Sequence, residues 1–405
     1  MSSRTHKFWT SNNGRQSRQS WKGLGRLGVA MFATVLALVA AEVSLRGLGR
    51  YDDLANAALS PSASTLWKPT PRATQHRKHP DVSFDVSVIY DSSGVRNHSG
   101  VDTSDKSGIV GVFGDIFTEN IRVPDSFTFT SILDELASDE YNFVNFGVDG
   151  YGLDQSYLRY KAFKNVEIIH VVYLMYYNDF RNIYENDLAF LEAQKVRFKD
   201  QNQSRILRRV VGQLRLTYLV LEAYYKGRAI IETAFAGTGD GGEQQLRTNP
   251  FDGRHLKRER DDRHRTEYAH SIYSDIVSEQ PTDRTVRYAE LFRAILTNWQ
   301  KELAAAGREF TILVVPEEKS VRLAKALKLD ASHEVVFLSD GVQWLNDLKF
   351  KNDGHWNEAG NIKAAFILAR LPAFAPYLKT DLDLKAAEQR FIAEARRFYD
   401  EHPPH

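Results

Sequence analysis

Continuous apolar runs separated by helical segments are the feature of this chain that most restricts its fold. Ile109–Phe113, Tyr141–Phe146 and Glu167–Tyr176 lack the polar alternation of a half-exposed strand. Helical patterns over 127–136 and 153–163 lie between these runs. Strands that are apolar on both faces and alternate with helices are typical of a parallel sheet covered on both sides. The sequence therefore predicts a three-layer α/β/α fold with a parallel sheet.

A charged region interrupts this alternation. Ile206–Tyr225 forms an amphipathic helical pattern, a glycine-rich stretch occupies 236–243, and a mixed charge run follows over 254–265. We therefore predict an insertion over about 180–283 within a domain spanning 82–375, followed by a C-terminal helical segment over 376–405. The alternation resumes with helices near 284–306, 358–371 and 384–399 and strands near 310–315 and 334–338.

The N-terminus has the charge pattern of a membrane anchor. Residues 1–26 contain six basic and no acidic residues, and an uncharged apolar run follows over 27–41. We predict a basic cytoplasmic tail over 1–26, a transmembrane signal-anchor helix over 27–45 and a linker over 46–81, because a bilayer span needs about 20 mostly apolar residues. Two alternatives stay open, a signal peptide cleaved after Val39–Ala41 and a buried core helix.

The composition of the chain argues against several classes of function. The chain carries 53 basic and 52 acidic residues, a balance that argues against a dedicated nucleic-acid-binding protein. It contains no cysteine, which excludes disulfide scaffolds, thiolate catalysis and cysteine-based zinc or iron–sulfur sites. No cluster of His, Asp and Glu shows metal-ligand spacing, so we expect neither a metal nor another cofactor.

Four short blocks carry the polar residues that suggest a site. Val112–Asn120, Asn145–Gly152 and Tyr176–Asp179 each follow a predicted strand, and Asp353–Asn357 precedes an apolar helix. Open α/β sheets place their sites at the carboxyl ends of strands, so we expect the first three blocks to meet. Each block alone is a weak signal, since short polar motifs of this kind recur by chance.

In their order and spacing, the four blocks resemble the SGNH (GDSL) hydrolase family over roughly residues 82–375. The resemblance implies a flavodoxin-like three-layer fold and hydrolysis of acyl esters. A serine in the first block would attack the ester carbonyl, a histidine would take its proton, and an aspartate would orient that histidine. Backbone and amide N–H groups would stabilise the oxyanion that forms.

The family roles transfer to this chain residue by residue. The resemblance makes His355 the base, Asp353 its orienting acid, and Gly147 and Asn178 two oxyanion donors, with the backbone N–H of residue 116 as the third. Many family members place the acid three residues before the histidine, where this chain has Asn352. Supporting motif positions are Gly114, Asp115, Thr118 and Asp179.

The nucleophile position departs from the family. Gly-Asp-Ser is replaced by Gly114-Asp115-Ile116, and isoleucine has no hydroxyl with which to attack a carbonyl. A glycine common later in the motif is replaced by Asn120. The sequence therefore favours a pseudoenzyme that keeps the fold and a ligand pocket.

Two catalytic alternatives stay open. An active O-acyl ester hydrolase or O-acetyltransferase could use a substitute nucleophile, for which Thr118, Ser126, Ser131 and Asp115 are the candidates. Water could instead be activated directly by His355, because a triad that lacks one member keeps about 10³–10⁴ of rate over water.

The resemblance extends to a membrane-anchored branch that is associated with bacterial surface polysaccharides. It implies an O-acylated glycan or another acyl ester as ligand, and a place in polysaccharide assembly or modification. The anchor would hold the protein in the bacterial inner membrane with the main domain in the periplasm; cleavage of a signal peptide would export it. We expect no nucleic-acid partner, and the sequence does not identify a protein partner.

Overall fold

The computed structural model describes residues 29, 32–45, 59–62, 64–96, 108–186, 188–199, 272–329, 334–338, 346–351 and 353–404. These residues fall into two units, the N-terminal segment up to residue 45 and the part from residue 59 onward. Within the first unit, residues 32–45 are helical. Among all described helices, none combines the length and apolar character needed to cross a membrane. The helix predicted over Ile206–Tyr225 lies outside the described residues.

The segment expected as a linker over 46–81 contains strands in its second half. The strands in and directly after it are β1 Leu59–Ser62, β2 Leu66–Pro69, β3 Thr74–Lys78 and β4 Asp85–Ile89. Two antiparallel hairpins form, β1 with β2 and β3 with β4. Val86 and Val88 of β4 are fully buried and pack with Tyr90 in an apolar cluster of their own. That packing orders the second hairpin, although the surrounding composition is polar and proline-rich.

The second unit is built around a parallel sheet of five strands. They are β5 Gly108–Gly114, β6 Tyr141–Asn145, β7 Ile168–Met175, β10 Glu309–Val314 and β11 Val335–Phe337. The strand order is β11-β10-β7-β5-β6, and every neighbouring pair in it is parallel. Each strand coincides with a predicted one, which confirms the α/β class with a central parallel sheet.

This unit includes the following eight α-helices. They are α1 Ile116–Glu119, α2 Phe129–Leu136, α3 Leu153–Ala162, α4 Asn178–Asn186, α5 Asp283–Ala305, α6 Glu318–Ala326, α7 Glu358–Ala369 and α8 Leu384–Glu401. Side chains of α3, α5 and α6 enter one apolar cluster, whereas side chains of α2, α7 and α8 enter another. The helices thus form two separate layers.

Alternate residues of β5 explain why the sheet is covered on both faces. Ile109 and Phe113 belong to the first of these two clusters, and Val110 and Val112 belong to the second. Successive strand side chains point to opposite faces, so a continuous apolar strand requires a helical layer on each side. This arrangement accounts for the unbroken apolar runs of the sequence.

The expected insertion is described only at its two ends. Within it, β8 Ala189–Glu192 and β9 Lys195–Phe198 form a further antiparallel hairpin. Residues 200–271 lie outside the described residues, so the boundaries of the insertion stay a prediction.

The C-terminal helix α8 is tied to the core by a buried polar network. The Tyr399 hydroxyl donates to Glu358 Oε2 at 2.7 Å, and His79 Nε2 lies 3.0 Å from Glu358 Oε1. His79 Nδ1 accepts the Val82 N–H at 3.1 Å, so the proton on Nε2 is donated to Glu358. The network joins the end of β3, the start of α7 and α8.

Truncation of the buried Trp299 side chain in α5 tests the packing of the first helical layer. Its fully buried indole lies 5.5 Å from the Phe113 ring and 5.4 Å from the Phe310 ring, measured between centroids. We expect Trp299→Ala to lower the free energy of unfolding by about 3–5 kcal/mol, as for other buried Trp truncations. Val286→Ala on the same helix is the control, because Val286 is 36% exposed. Denaturant unfolding measures both, and equal losses would contradict this packing.

Candidate functional site

Parallel pairing brings the ends of three predicted blocks together. Val148 N–H donates to Gly114 O at 3.1 Å, and Asn145 Nδ2 donates to Thr118 O at 2.7 Å. The Asn178 side chain lies close enough to Asp115 to affect the pKa of its carboxyl group. The loops after β5, β6 and β7 therefore form one site at the carboxyl edge of the sheet, as the sequence predicts.

Two glycines permit this close approach. A Cβ at Gly147 would lie 2.5 Å from Glu119 N and 2.6 Å from Thr118 Cβ. A Cβ at Gly114 would lie 2.8 Å from Leu174 O, on the neighbouring strand β7. Both distances are shorter than van der Waals contact allows, so these positions require glycine if the loops are to meet.

The first block forms the short helix α1. Asp115 is its N-cap, and Asp115 Oδ1 accepts the Phe117 N–H at 2.9 Å. Asn120 ends the helix with φ 55°, a left-handed conformation that favours glycine or asparagine. Asn120, which stands where the family that this block resembles has a glycine, can therefore make this turn.

Ile116 is a packing residue in this structure. Its half-buried side chain contacts the core cluster of the second helical layer. It also packs against the cluster that contains Val86, Val88 and Tyr90. The position at which a serine would attack substrate thus carries an apolar side chain that joins two clusters.

The fourth block forms the second half of a tight loop, and His355 lies in this half. Phe350 N–H donates to His355 O at 3.1 Å, and Lys349 pairs with Trp356. Asp353 Oδ1 accepts the His355 backbone N–H at 3.0 Å and contacts the imidazole Nδ1. The structure therefore brings His355 and Asp353 together, with the acid on the nitrogen that orients the ring for its Nε2 to act. Asn352 lies outside the described residues.

The surroundings of His355 favour its neutral form. Burial lowers the pKa of His355, and the Arg122 guanidinium lowers it further, while Asp115 and Asp149 oppose both effects. Arg122 itself forms an ion pair with Asp353. A neutral imidazole can accept a proton, which is the state that a general base requires.

Asp115 is a buried acid rather than an exposed nucleophile. It is fully buried, and its Oδ2 has no hydrogen-bond partner among the described residues. Burial raises the pKa of Asp115 to about 6, although the Phe117 N–H and the His355 charge pull it down.

Two more buried carboxyl groups lie behind Asp115. Asp179 Oδ2 accepts the Tyr173 hydroxyl at 2.7 Å and the Tyr176 N–H at 3.0 Å. Burial and the Asp115 charge raise the pKa of Asp179 well above its usual range. Burial also raises the pKa of Asp154 to about 7. Burial therefore favours the protonated forms of these acids.

The predicted oxyanion donors differ in availability. Gly147 N–H donates to Asn145 Oδ1 at 3.0 Å, so it is already occupied. Ile116 opens α1, and the N–H of a first helical residue has no partner within the helix. Asn178 opens α4 half-buried, with its Oδ1 buried and without a hydrogen-bond partner among the described residues.

The candidate substitute hydroxyls have other environments. Thr118 is fully buried, and its Oγ1 lies 3.5 Å from Phe113 O. Ser131 Oγ accepts the Thr128 hydroxyl at 2.7 Å, and Ser126 is exposed in a short 3₁₀ turn. None of these three hydroxyls contacts His355 in the part of the chain that the structure describes.

Sequence reasoning missed Glu119 and Arg122. Glu119 is fully buried; its Oε1 accepts the Tyr90 hydroxyl and its Oε2 the Asp149 N–H, both at 2.6 Å. Burial raises the pKa of Glu119 to about 7. Glu119 therefore fixes the second block against α1. Its position within the first block was a signal in the sequence, but the burial of a single charged residue cannot be inferred from its residue type.

The described residues contain no group of three or more His, Asp or Glu side chains arranged to hold a metal ion. Neither a protein-family model nor a curated protein matches this chain.

The pH dependence of stability tests whether the buried Asp154 carboxyl group is protonated in the folded protein. Its pKa is higher in the folded protein than in the unfolded chain, so the folded state holds an extra proton near neutral pH. The free energy of unfolding should then fall as pH rises from about 4 to about 7, by at most about 1.4 kcal/mol per pH unit for one proton, and level off above that. We expect Asp154→Asn to make this decline shallower, because the amide does not titrate and its Oδ1 can still accept the Gln155 N–H, which Asp154 accepts at 2.9 Å.

Urea unfolding from pH 5 to 9 measures the effect. Asp139→Asn is the matched control, because Asp139 is exposed. An unchanged slope in Asp154→Asn would contradict a protonated Asp154 in the folded protein.

Proposed function

We propose that this chain has an SGNH-hydrolase-like domain that binds an acyl ester, with an O-acylated glycan as the favoured ligand, and is catalytically impaired. One observation carries the proposal: an oriented His355–Asp353 pair shares a sheet edge with a nucleophile position occupied by Ile116. The order of the four blocks on a central parallel sheet supports the flavodoxin-like fold. In this proposal the binding site is retained while the covalent route is lost.

Two features support impaired catalysis. Ile116 cannot form an acyl-enzyme, and its side chain is used in packing. The Gly147 N–H is engaged by Asn145 at 3.0 Å, which removes one oxyanion donor from the site. Loss of one such donor typically costs about 10²–10³ in rate.

The retained histidine favours a weak second activity over a substitute nucleophile. His355 is oriented by Asp353 and has a lowered pKa, so it can take a proton from water or from an acceptor hydroxyl. Thr118 and Asp115 are buried, and Asp115 caps α1. We therefore favour residual hydrolysis by a water molecule that His355 activates over attack by the Thr118 or Asp115 side chain.

We further propose that residues 27–45 are a signal-anchor that holds the domain outside the cytoplasm, where it serves surface-polysaccharide assembly or modification. The six basic residues of 1–26 and the apolar run behind them support this topology. A C-terminal reporter that is active only outside the cytoplasm should be active in the full chain. Deletion of residues 1–45 should abolish that activity, and an inactive full-length fusion that is present at normal levels would contradict the topology.

Ile116→Ser is the direct test of the preserved site. We expect it to raise hydrolysis of p-nitrophenyl acetate at least about tenfold above wild type, because it returns a hydroxyl to the start of α1 near an oriented base. Ile116→Ala controls for the space opened by removing isoleucine. Ile116→Ser combined with His355→Ala should return to the Ile116→Ala level.

A serine-reactive phosphonate gives an independent readout. It should label Ile116→Ser and leave wild type and Ile116→Ala unlabelled. If folded Ile116→Ser shows neither labelling nor a gain in hydrolysis, the claim of a preserved catalytic arrangement is wrong. If wild type already hydrolyses the ester and His355→Ala abolishes this, the residual water-mediated activity replaces the pseudoenzyme proposal.

A further inference from the structure

A tryptophan and an aspartate are neighbours at the rim of the proposed site. Trp67 of β2 and Asp149 of the second block are both half-exposed. The Trp67 indole N–H donates to Asp149 O at 3.2 Å, so the two residues are held as neighbours.

The Trp67 indole is held in place from several directions. Its ring is edge-on to Tyr151, with 5.8 Å between centroids, and a Cβ at Gly150 would lie 3.5 Å from Trp67 Cζ2. The preceding residue, Leu66, has φ 72°, a left-handed conformation that is uncommon for a leucine. Strained backbone of this kind persists where surrounding contacts fix it, and it is concentrated at functional sites.

The Asp149 backbone is fixed while its carboxylate is unused. Its N–H donates to buried Glu119 at 2.6 Å, which sets the position of the residue. Among the described residues, the Asp149 carboxylate has neither a hydrogen-bond nor an ion-pair partner. The carboxylate is therefore available to a bound cation.

Two basic side chains at this edge are already paired with other acids. Arg122 is paired with Asp353, and Lys349 is paired with Glu317 at 2.6 Å. Asp149 has no such cation among the described residues, and the fully buried Asp115 Oδ2 has no hydrogen-bond partner there either. Asp149 also raises the pKa of both Asp115 and His355, which shows that its charge acts on the site.

We infer that Trp67 and Asp149 form a subsite for an organic ammonium group of the ligand. The ring face attracts a cation through its quadrupole, and the carboxylate supplies the opposite charge. This combination favours an amine over a neutral hydroxyl, because a hydroxyl leaves the Asp149 charge uncompensated. The inference rests on the proposed function only in assigning this ammonium group to the ligand of the same site.

The test uses choline and its neutral isostere 3,3-dimethylbutan-1-ol, titrated calorimetrically into the full-length protein in detergent. The two probes have the same shape and differ in charge. We expect choline to bind at least about fivefold more tightly, the factor that a cation–π contact of about 1 kcal/mol supplies. Asp149→Asn should remove this preference, and Asp139→Asn, at an exposed acid elsewhere, should keep it.

The aromatic partner is tested by two substitutions. Trp67→Phe should weaken choline binding because phenylalanine has the weaker π face, and Trp67→Ala should weaken it further. Circular dichroism and unfolding curves of Trp67→Phe separate loss of binding from loss of the hairpin. Equal affinity for the two probes, or a preference that survives Asp149→Asn, would overturn the inference.

These outcomes are independent of ester chemistry. A protein that prefers choline while Ile116→Ser stays inert would keep the subsite and lose the hydrolase-like proposal. A protein in which Ile116→Ser gains activity without a choline preference would show the reverse.

Discussion

Parallel pairing of β5 with β6 on one side and β7 on the other is the constraint on which the site depends. It directs the ends of three strands to one edge, so that residues far apart in sequence form one surface. Gly114 and Gly147 allow the loops to approach, and Asn145 and Glu119 then lock them with buried hydrogen bonds. The polar site is therefore a consequence of how an apolar sheet is assembled.

Ile116 at the start of α1 affects the energetics of this edge as well as its chemistry. A serine there would expose a hydroxyl toward substrate, whereas isoleucine adds contacts to two apolar clusters. The surrounding buried acids keep raised pKa values, which is costly for stability in alkaline solution. Buried acids with raised pKa values are concentrated at functional sites, and this supports our proposal that the edge is retained for binding.

Much of the fold could be predicted from the sequence because apolar runs and helical periods are local signals. The strands follow from such signals, whereas the pairing of His355 with Asp353 was implied by the resemblance of the fourth block to a known family. The hairpins near Trp67 could not, because their polar, proline-rich residues are ordered by tertiary contacts. The burial of Glu119 and the occupied Gly147 N–H were likewise invisible, since both depend on partners brought close by the fold.

The buried contact between Glu358 and two distant residues has a consequence for how the protein is made. His79 lies 279 positions before Glu358, and Tyr399 follows it by 41. The start of α7, which directly follows the His355 loop, is therefore secured only after the last helix has been synthesised. Until α8 docks, Glu358 has one of its two buried partners and the loop lacks its final support. A nascent chain could complete its sheet early, but this pocket would be among the last parts to become rigid.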